Sequence, residues 1–338
     1  MSTVTRILNM ASNISCQAPS RGGALLAVLW LSAALSAIAF SLANTVRGEV
    51  ERTSTTVDGL RGYYLAQAGV ERGILYVEWE LENTPPRNAP FRYTSASPVL
   101  PFNFPSGEAI VQVIPETAKL NLNTATPEYL QRLLMALGVD PDRAAQMVAG
   151  IVDWRTPGGM SEFDAFYLSL TPSFRSRHAS FEETEELLLV RGITPELYYG
   201  GYDHDPQGRL VPRAGLRDCV GVLGRGDGID VNTAQPAVLM AVGIPPEAVA
   251  AIVARRRLQP FKDVGEVAGF VPGGGEGYAH LRVGGKAIFT LRSTARIRLS
   301  NGQLSDLRRI VAATVSFGRP DDRTRVDVLR WYDNAWTP

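Results

Sequence analysis

The chain has 338 residues, and its 34 basic and 34 acidic side chains cancel. That length suits two or three modest domains with real hydrophobic cores and excludes a single small module. A net charge of zero gives no polyanion a reason to bind tightly, and two cysteines, Cys16 and Cys219, exclude a disulfide framework.

Between Arg21 and Arg47 no charge interrupts residues 22–46, a run of 25 positions, more than the roughly 20 that a helix needs to cross a bilayer. The run predicts a transmembrane helix. One alternative is a cleaved signal peptide, whose apolar region is shorter, about 7–15 residues. A second is a buried soluble helix, but helices apolar on every side are rare in small domains. Residues 46–82 contain no proline and carry apolar side chains at Val46, Val50, Val57, Leu60, Tyr64, Ala68, Ile74 and Leu75, mostly at helical spacing. One helix is therefore expected to continue beyond the apolar run. Gly48, Gly59, Gly62, Gly69 and Gly73 weaken it by about 1 kcal/mol each relative to alanine, so bending or local melting is expected there.

Arg21, Gly22, Gly23, Ala24, Leu25 and Leu26 ahead of the apolar run resemble the N-terminus of type IV prepilins and pseudopilins. The resemblance implies a cut after Gly22 by prepilin peptidase, with Gly23 freed and N-methylated; the adjacent Gly23 leaves a cut one residue later open. Without residues 1–22 the chain keeps 32 basic and 34 acidic residues and one thiol, Cys219. Most pilins carry Glu as the fifth mature residue, paired with a neighbouring subunit's terminal amine. Here that residue is Ala27. A carboxylate in lipid is costly unless paired, so its absence implies a subunit that needs no bond to one above it. K-type pseudopilins share this departure.

Residues 83–107 are rich in Pro, Ser and Asn and read as a connection. From Glu108, the alternation through Ile110, Gln112, Val113 and Ile114 predicts a strand pair or bent strand, interrupted by Pro115. An internal repeat follows: Leu122, Asn123, Thr124, Ala125, Pro127 and Leu130 recur as Val231, Asn232, Thr233, Ala234, Pro236 and Leu239. Thr124 and Thr233 are N-cap candidates for a short helix in each copy. The turns Leu137-Gly138-Val139 and Val242-Gly243-Ile244 then lead to second helices ending near Ile151 and Ile252. Residues 181–187 and 261–267 read as further short helical elements. After the flexible run 272–275, residues 287–299, 307–317 and 325–332 read as strands of an antiparallel sheet packed on the long helix. The eleven basic residues from Arg282 to Arg330 read as a solvated face.

This order of elements is similar to the K subunit of type II secretion, a minor pseudopilin family, and local wording agrees best over residues 119–125, 180–200 and 230–234. Within residues 181–199, Glu185-Glu186-Leu187, Val190-Arg191-Gly192-Ile193 and Pro195-Glu196-Leu197-Tyr198-Tyr199 are the most specific. The resemblance also implies bound calcium near an Asp-Trp pair. Asp153-Trp154 and Glu162 match that pattern, but Arg155-Thr156-Pro157 replaces the aspartates expected after the tryptophan, and Met160-Ser161 replaces Gly-Ala. Calcium wants six to eight oxygens. Asp153, Glu162 and Asp164 offer a partial set beside a repelling Arg155, and a solvated loop or helix cap is the alternative reading.

A rival of another class is a membrane-anchored helix-hairpin-helix DNA receptor of the competence type. Such hairpins turn on Gly-apolar-Gly, whose N–H groups meet a phosphate. The second glycine here is Asp140 in one copy, which repels phosphate, and Pro245 in the other, which has no N–H. Enzymatic readings have less support. His178, His204 and His280 belong to no recognisable motif, Asp203-His204-Asp205 reads as a turn ahead of Pro206, and residues 224–228 lack a phosphate loop's lysine.

The expected fold is α+β: an N-terminal transmembrane and pilin helix packed on an antiparallel sheet, with an inserted all-α domain holding two helix-hairpin-helix-like repeats. The expected divisions are leader 1–22, transmembrane helix 23–46, helix continuation and first strand 47–118, inserted domain 119–280 with repeats near 119–155 and 228–270, and sheet 281–338. The expected protein is no enzyme, needs no certain cofactor and binds no nucleic acid. It crosses the inner membrane once, N-terminus cytoplasmic and bulk periplasmic. The resemblance implies prepilin peptidase, I- and J-type minor pseudopilins and the major pseudopilin as partners. Ala27, Ala33 and Ala37 are expected to pack against other helices in lipid.

Overall fold

The computed structural model describes residues 23–82, 98–158, 160–205, 207–224, 228–271, 275–285, 287–318 and 325–335. The leader 1–22 with Cys16 and Gly22, connection residues 83–97, Pro206, residues 225–227 and 272–274, Lys286, Arg319 and Arg323 lie outside the described residues. The chain divides into two compact units, Met1–Asp58 and Gly59–Pro338.

Helix α1 (Gly23–Glu82) is one unbroken helix. Its first part is apolar and exposed, with Leu25 74 % and Phe40 70 % accessible. The hydroxyls of Ser32, Ser36 and Thr45 bond back to the carbonyls of Leu29, Ser32 and Ser41, so these side chains carry no unpaired donor into apolar surroundings.

Within the second unit, the glycines expected to melt α1 do the opposite. Gly59, Gly62, Gly69 and Gly73 are buried and form a seam against the sheet. A Cβ on Gly62 would lie 2.8 Å from Arg309 Cγ, one on Gly69 2.9 Å from the Ala109 methyl, and one on Gly73 2.9 Å from Leu291 Cδ2. The propensity cost is offset by close packing. Gly48 has nothing nearby and is the one that only weakens the helix.

β1 (Val99–Phe104) and β2 (Gly107–Pro115) form an antiparallel hairpin. β1 lies in the stretch read from sequence as connection. It is an edge strand, where Pro101 is tolerated, and it buries Leu100 and Phe102 in alternation. The chain then passes through β3 (Leu120–Asn121), α2 (Pro127–Ala136), α3 (Pro141–Arg155), α4 (Glu162–Leu168), α5 (Pro195–Tyr199), β4 (Gly201–His204), β5 (Leu210–Arg213), α6 (Leu216–Cys219), β6 (Val220–Gly221), β7 (Ile229–Asp230), α7 (Pro236–Ala241), α8 (Pro246–Leu258) and β8 (Leu281–Arg282). The two further helical elements expected from sequence are 3-10 turns, Thr184–Leu189 and Val264–Phe270. β9 (Ile288–Arg298), β10 (Leu304–Gly318) and β11 (Arg325–Tyr332) complete an antiparallel sheet of order β1-β2-β9-β10-β11.

The neighbours β2 and β9 are thus separated in sequence by every helix after α1. Two hydrophobic cores result. One runs from Ala118 to Leu281 through the helical elements and includes the free Cys219. The other joins Leu65, Ala66, Val70 and Val77 of α1 to inward residues of the sheet, such as Val111, Leu291 and Val311. Arg330 of β11 ties the sheet to the helical elements, its guanidinium 2.8 Å from Glu182 O and 3.1 Å from a Glu183 carboxylate oxygen.

The repeat adopts one local geometry twice. Gly138 (φ 89°) and Gly243 (φ 97°) take the left-handed conformation that ends the first helix of each pair. The next amide reaches back five residues in both, Val139 N to Leu134 O at 3.0 Å and Ile244 N to Leu239 O at 3.1 Å. The caps sit later than the threonines expected to supply them. Pro127 and Pro236, favoured at a first helical position, make Thr126 and Gln235 the capping residues. Thr233 instead donates to the Asp230 carboxylate. The second helices also extend past Ile151 and Ile252, ending at Arg155 and Leu258.

Candidate functional site

Three features carry the candidate function: the apolar part of α1, the α3–α4 connection and the paired helices. Along α1, Gly23, Ala27, Ala33 and Ala37 are all exposed. The apolar window of this helix has no residue buried inside the protein and is long and apolar enough to cross a membrane.

The α3–α4 connection is built on Trp154, which is 1 % exposed. Its ring stacks on Phe181 at 6.3 Å and meets Tyr167 edge-on at 5.8 Å, and its Nε1–H donates to Glu186 at 3.0 Å. Burial alone would raise the Glu186 carboxyl, but that N–H, the backbone N–H groups of Glu182 and Glu183, and Arg177 hold it below the usual range. Asp164 closes a capping box on α4, accepting from Ser161 N at 2.9 Å. It also accepts from Ser176 N at 3.3 Å and lies 3.0 Å from His178 Nε2. The Ser161 amide is the largest cause and His178 the next in lowering the Asp164 carboxyl. His178 sits at φ 44°, a left-handed backbone rare for a residue with a side chain. Its Nδ1 is 3.3 Å from Asp153 O, so both ring nitrogens face acceptors. The Asp164 hydrogen bond raises the imidazole's pKa.

These contacts decide how the candidate metal residues fit calcium. Asp164 already carries three donors, Glu162 is exposed, and Asp153 Oδ2 is a buried oxygen without a hydrogen-bond partner. Arg155 spans to the carbonyls of Leu122 and, at 2.8 Å, Ala125. Among the described residues no three metal-binding side chains converge. The donor set does not fit a calcium ion.

In the paired helices, several groups that could meet a phosphate are engaged within the protein. Asp140 spends its carboxylate on the amides of Asp142 and Arg143 at 3.0 and 3.5 Å. Arg256 donates to Val231 O at 2.7 Å, and Arg255 lies over the Phe261 ring and bonds Gln259 O. The turn at Asp205 is local, its carboxylate accepting from Gln207 N and Arg209 N.

Two family models, both described as type II secretion system (T2SS), protein K, match residues 111–200 and 229–280. Over these stretches the chain is similar to type II secretion protein K. The matched stretches contain β3, both helix pairs and the α3–α4 connection. Type II secretion system protein K of Klebsiella pneumoniae is 26 % identical over 258 residues, covering 71 % of this chain and 74 % of that protein. The fold resembles a chain in the crystal structure of the GspK–GspI–GspJ complex from the enterotoxigenic Escherichia coli type 2 secretion system. That match has a TM-score of 0.53 and 16 % identity and covers 86 % of this chain and all of the other. These matches support a minor pseudopilin of type II secretion, and the apolar N-terminal helix fits a membrane anchor. The DNA-receptor reading is not favoured.

Sequence reasoning missed His178, whose partner Asp164 lies fourteen residues away in no recognised motif. The one signal was indirect, in that Arg155-Thr156-Pro157 stands where the family pattern has aspartates.

Proposed function

We propose that this chain caps the tip of the pseudopilus together with I- and J-type minor pseudopilins, above the major pseudopilin, and so supports protein export across the outer membrane. The observation that carries the reading is Ala27 in the exposed apolar part of α1. Without a carboxylate there, the subunit has nothing to pair with the amine of a subunit above it, and the large helical insertion between β2 and β9 obstructs further addition. The GspK of the similar structure is found with GspI and GspJ, which supports the choice of partners.

On this reading, prepilin peptidase cuts after Gly22, with Gly23 the other candidate, and the freed amine is methylated. Residues 1–22 are leader, 23–46 cross the inner membrane from a cytoplasmic N-terminus, 47–118 continue the helix into the first strands, 119–280 form the insertion and 281–338 complete the periplasmic sheet. Ala33 and Ala37 let neighbouring helices approach closely. The work is assembly, and no catalytic step is assigned.

Coexpression of the full chain with I- and J-type pseudopilins, followed by affinity capture from detergent-extracted membranes, tests the proposal. A stable complex holding all three is expected. Recovery of this chain alone from membranes that contain both partners would contradict it.

A further inference from the structure

We infer that the Asp164–His178 bridge closes the α3–α4 connection in this chain in place of a calcium ion, so that the folded helical domain neither binds nor needs one. The inference does not depend on the subunit's position in the filament.

The first support is the state of Asp164. Its side chain is only 3 % exposed, and its two oxygens accept from Ser161 N, Ser176 N and the His178 ring. Calcium binds six to eight oxygens at about 2.3–2.6 Å. An ion at Asp164 Oδ2 would have to displace the imidazole and break the capping box of α4, which leaves the carboxylate at most Oδ1, already bonded to Ser176 N, to offer.

The second support is how His178 is held. A left-handed backbone at a residue with a side chain persists only where its surroundings fix it. Here Asp153 O and Asp164 engage the two ring nitrogens, while the next amide, Ala179 N, donates to Trp154 O at 3.1 Å. Residues 178–179 are thereby stitched to both the end of α3 and the start of α4. These are the two elements that a shared cation would otherwise join.

The third support is the charge around the connection. Arg155 is fixed at the end of α3 by the Leu122 and Ala125 carbonyls. Arg177 occupies the Glu182 and Glu186 carboxylates, with nitrogen–oxygen distances of 2.5 and 3.1 Å. Glu182 and Glu186 are thus already paired with a protein cation, and the two buried oxygens of the connection that lack a partner among the described residues, Asp153 Oδ2 and Ser176 Oγ, fall well short of the six to eight that calcium takes.

The test uses the full chain, purified in detergent after chelator treatment. Calcium chloride is titrated in by calorimetry, and thermal unfolding is followed by tryptophan fluorescence with calcium or with chelator. The expected result is no saturable heat up to about 1 mM calcium and a Tm that agrees within about 1 °C in the two conditions, since a ligand bound to the native state would raise it. One-to-one uptake, or a Tm that rises with calcium, overturns the inference. In parallel, His178→Ala and Asp164→Asn are each expected to lower Tm, and the double variant to fall no further than the worse single. Additive losses, or no loss from His178→Ala, also overturn it. If either variant fails to fold, the wild-type titration still decides.

Discussion

Asn123 and Phe181 exchange two hydrogen bonds, the Asn123 amide donating to Phe181 O at 3.0 Å and its oxygen accepting Phe181 N at 2.7 Å. Asn232 and Phe261 repeat the exchange at 2.9 and 2.8 Å. In each copy an asparagine just before the first helix clamps the backbone of a phenylalanine that follows the second, so the helix pair is closed into a loop-locked unit. The clamps explain why Asn-Thr-Ala recurs although neither threonine caps a helix.

Truncating a clamp leaves two backbone groups without partners, at about 1–3 kcal/mol for each one that stays buried. Asn232 is only 7 % exposed, and Asn232→Ala is expected to cost about 2–6 kcal/mol by that measure. Asn123→Ala, at a half-buried site, should cost less. Denaturant unfolding of the two variants checks both the loss and its order.

The glycine seam makes a prediction of opposite signs. Gly69→Ala sets a methyl against Ala109 Cβ at 2.9 Å and against Ser293 Oγ, and overpacking of this kind costs about 1–3 kcal/mol. Gly48→Ala meets nothing and should stabilise its helix by up to about 1 kcal/mol. Thermal unfolding for the first and helix content by circular dichroism for the second would show the contrast.

Much of this architecture was legible in the sequence, for identifiable reasons. The uncharged run 22–46 marked the start of α1, residues 287–299, 307–317 and 325–332 read as the strands that are β9 to β11, and the duplicated Asn-Thr-Ala marked both helix pairs. What stayed hidden depends on contacts distant in sequence. The glycines of α1 look like defects until Arg309, Ser293 and Leu291 are seen against them. β1 looks like a loop because its Pro101 is acceptable only at a sheet edge. The His178–Asp164 bridge has no sequence signature because its geometry depends on a left-handed backbone at a non-glycine residue.

Asp230 links the second repeat to pH. Its carboxylate accepts from Gly284 N at 2.6 Å and from the Thr233 hydroxyl, yet burial pushes its pKa above the usual carboxylate value. A pKa raised by folding means that the native state holds the proton more tightly than the unfolded chain. The associated stability is present below the ordinary carboxylate value and is lost as pH rises through the raised one. The equivalent position in the first repeat is the neutral Asn121, whose oxygen accepts from Asn123 N at 2.7 Å. Asp230→Asn is therefore expected to fold and to flatten the fall in stability with rising pH above the normal carboxylate range. Unfolding measured at several pH values in wild type and variant checks this.

In the membrane, small side chains permit helices to approach. Ala37→Phe is expected to reduce recovery of I- and J-type partners several-fold while leaving the amount of the chain in membranes unchanged. Quantified co-purification is the readout, and undiminished recovery would remove Ala37 from the proposed packing face.

The most direct test of the account is the intact mass and N-terminal sequence of the membrane-extracted chain, produced with and without prepilin peptidase. A peptidase-dependent product beginning at Gly23 with a methylated amine is the predicted result. A chain that keeps its first 22 residues in the presence of active peptidase, or one cut after the apolar run, would contradict it.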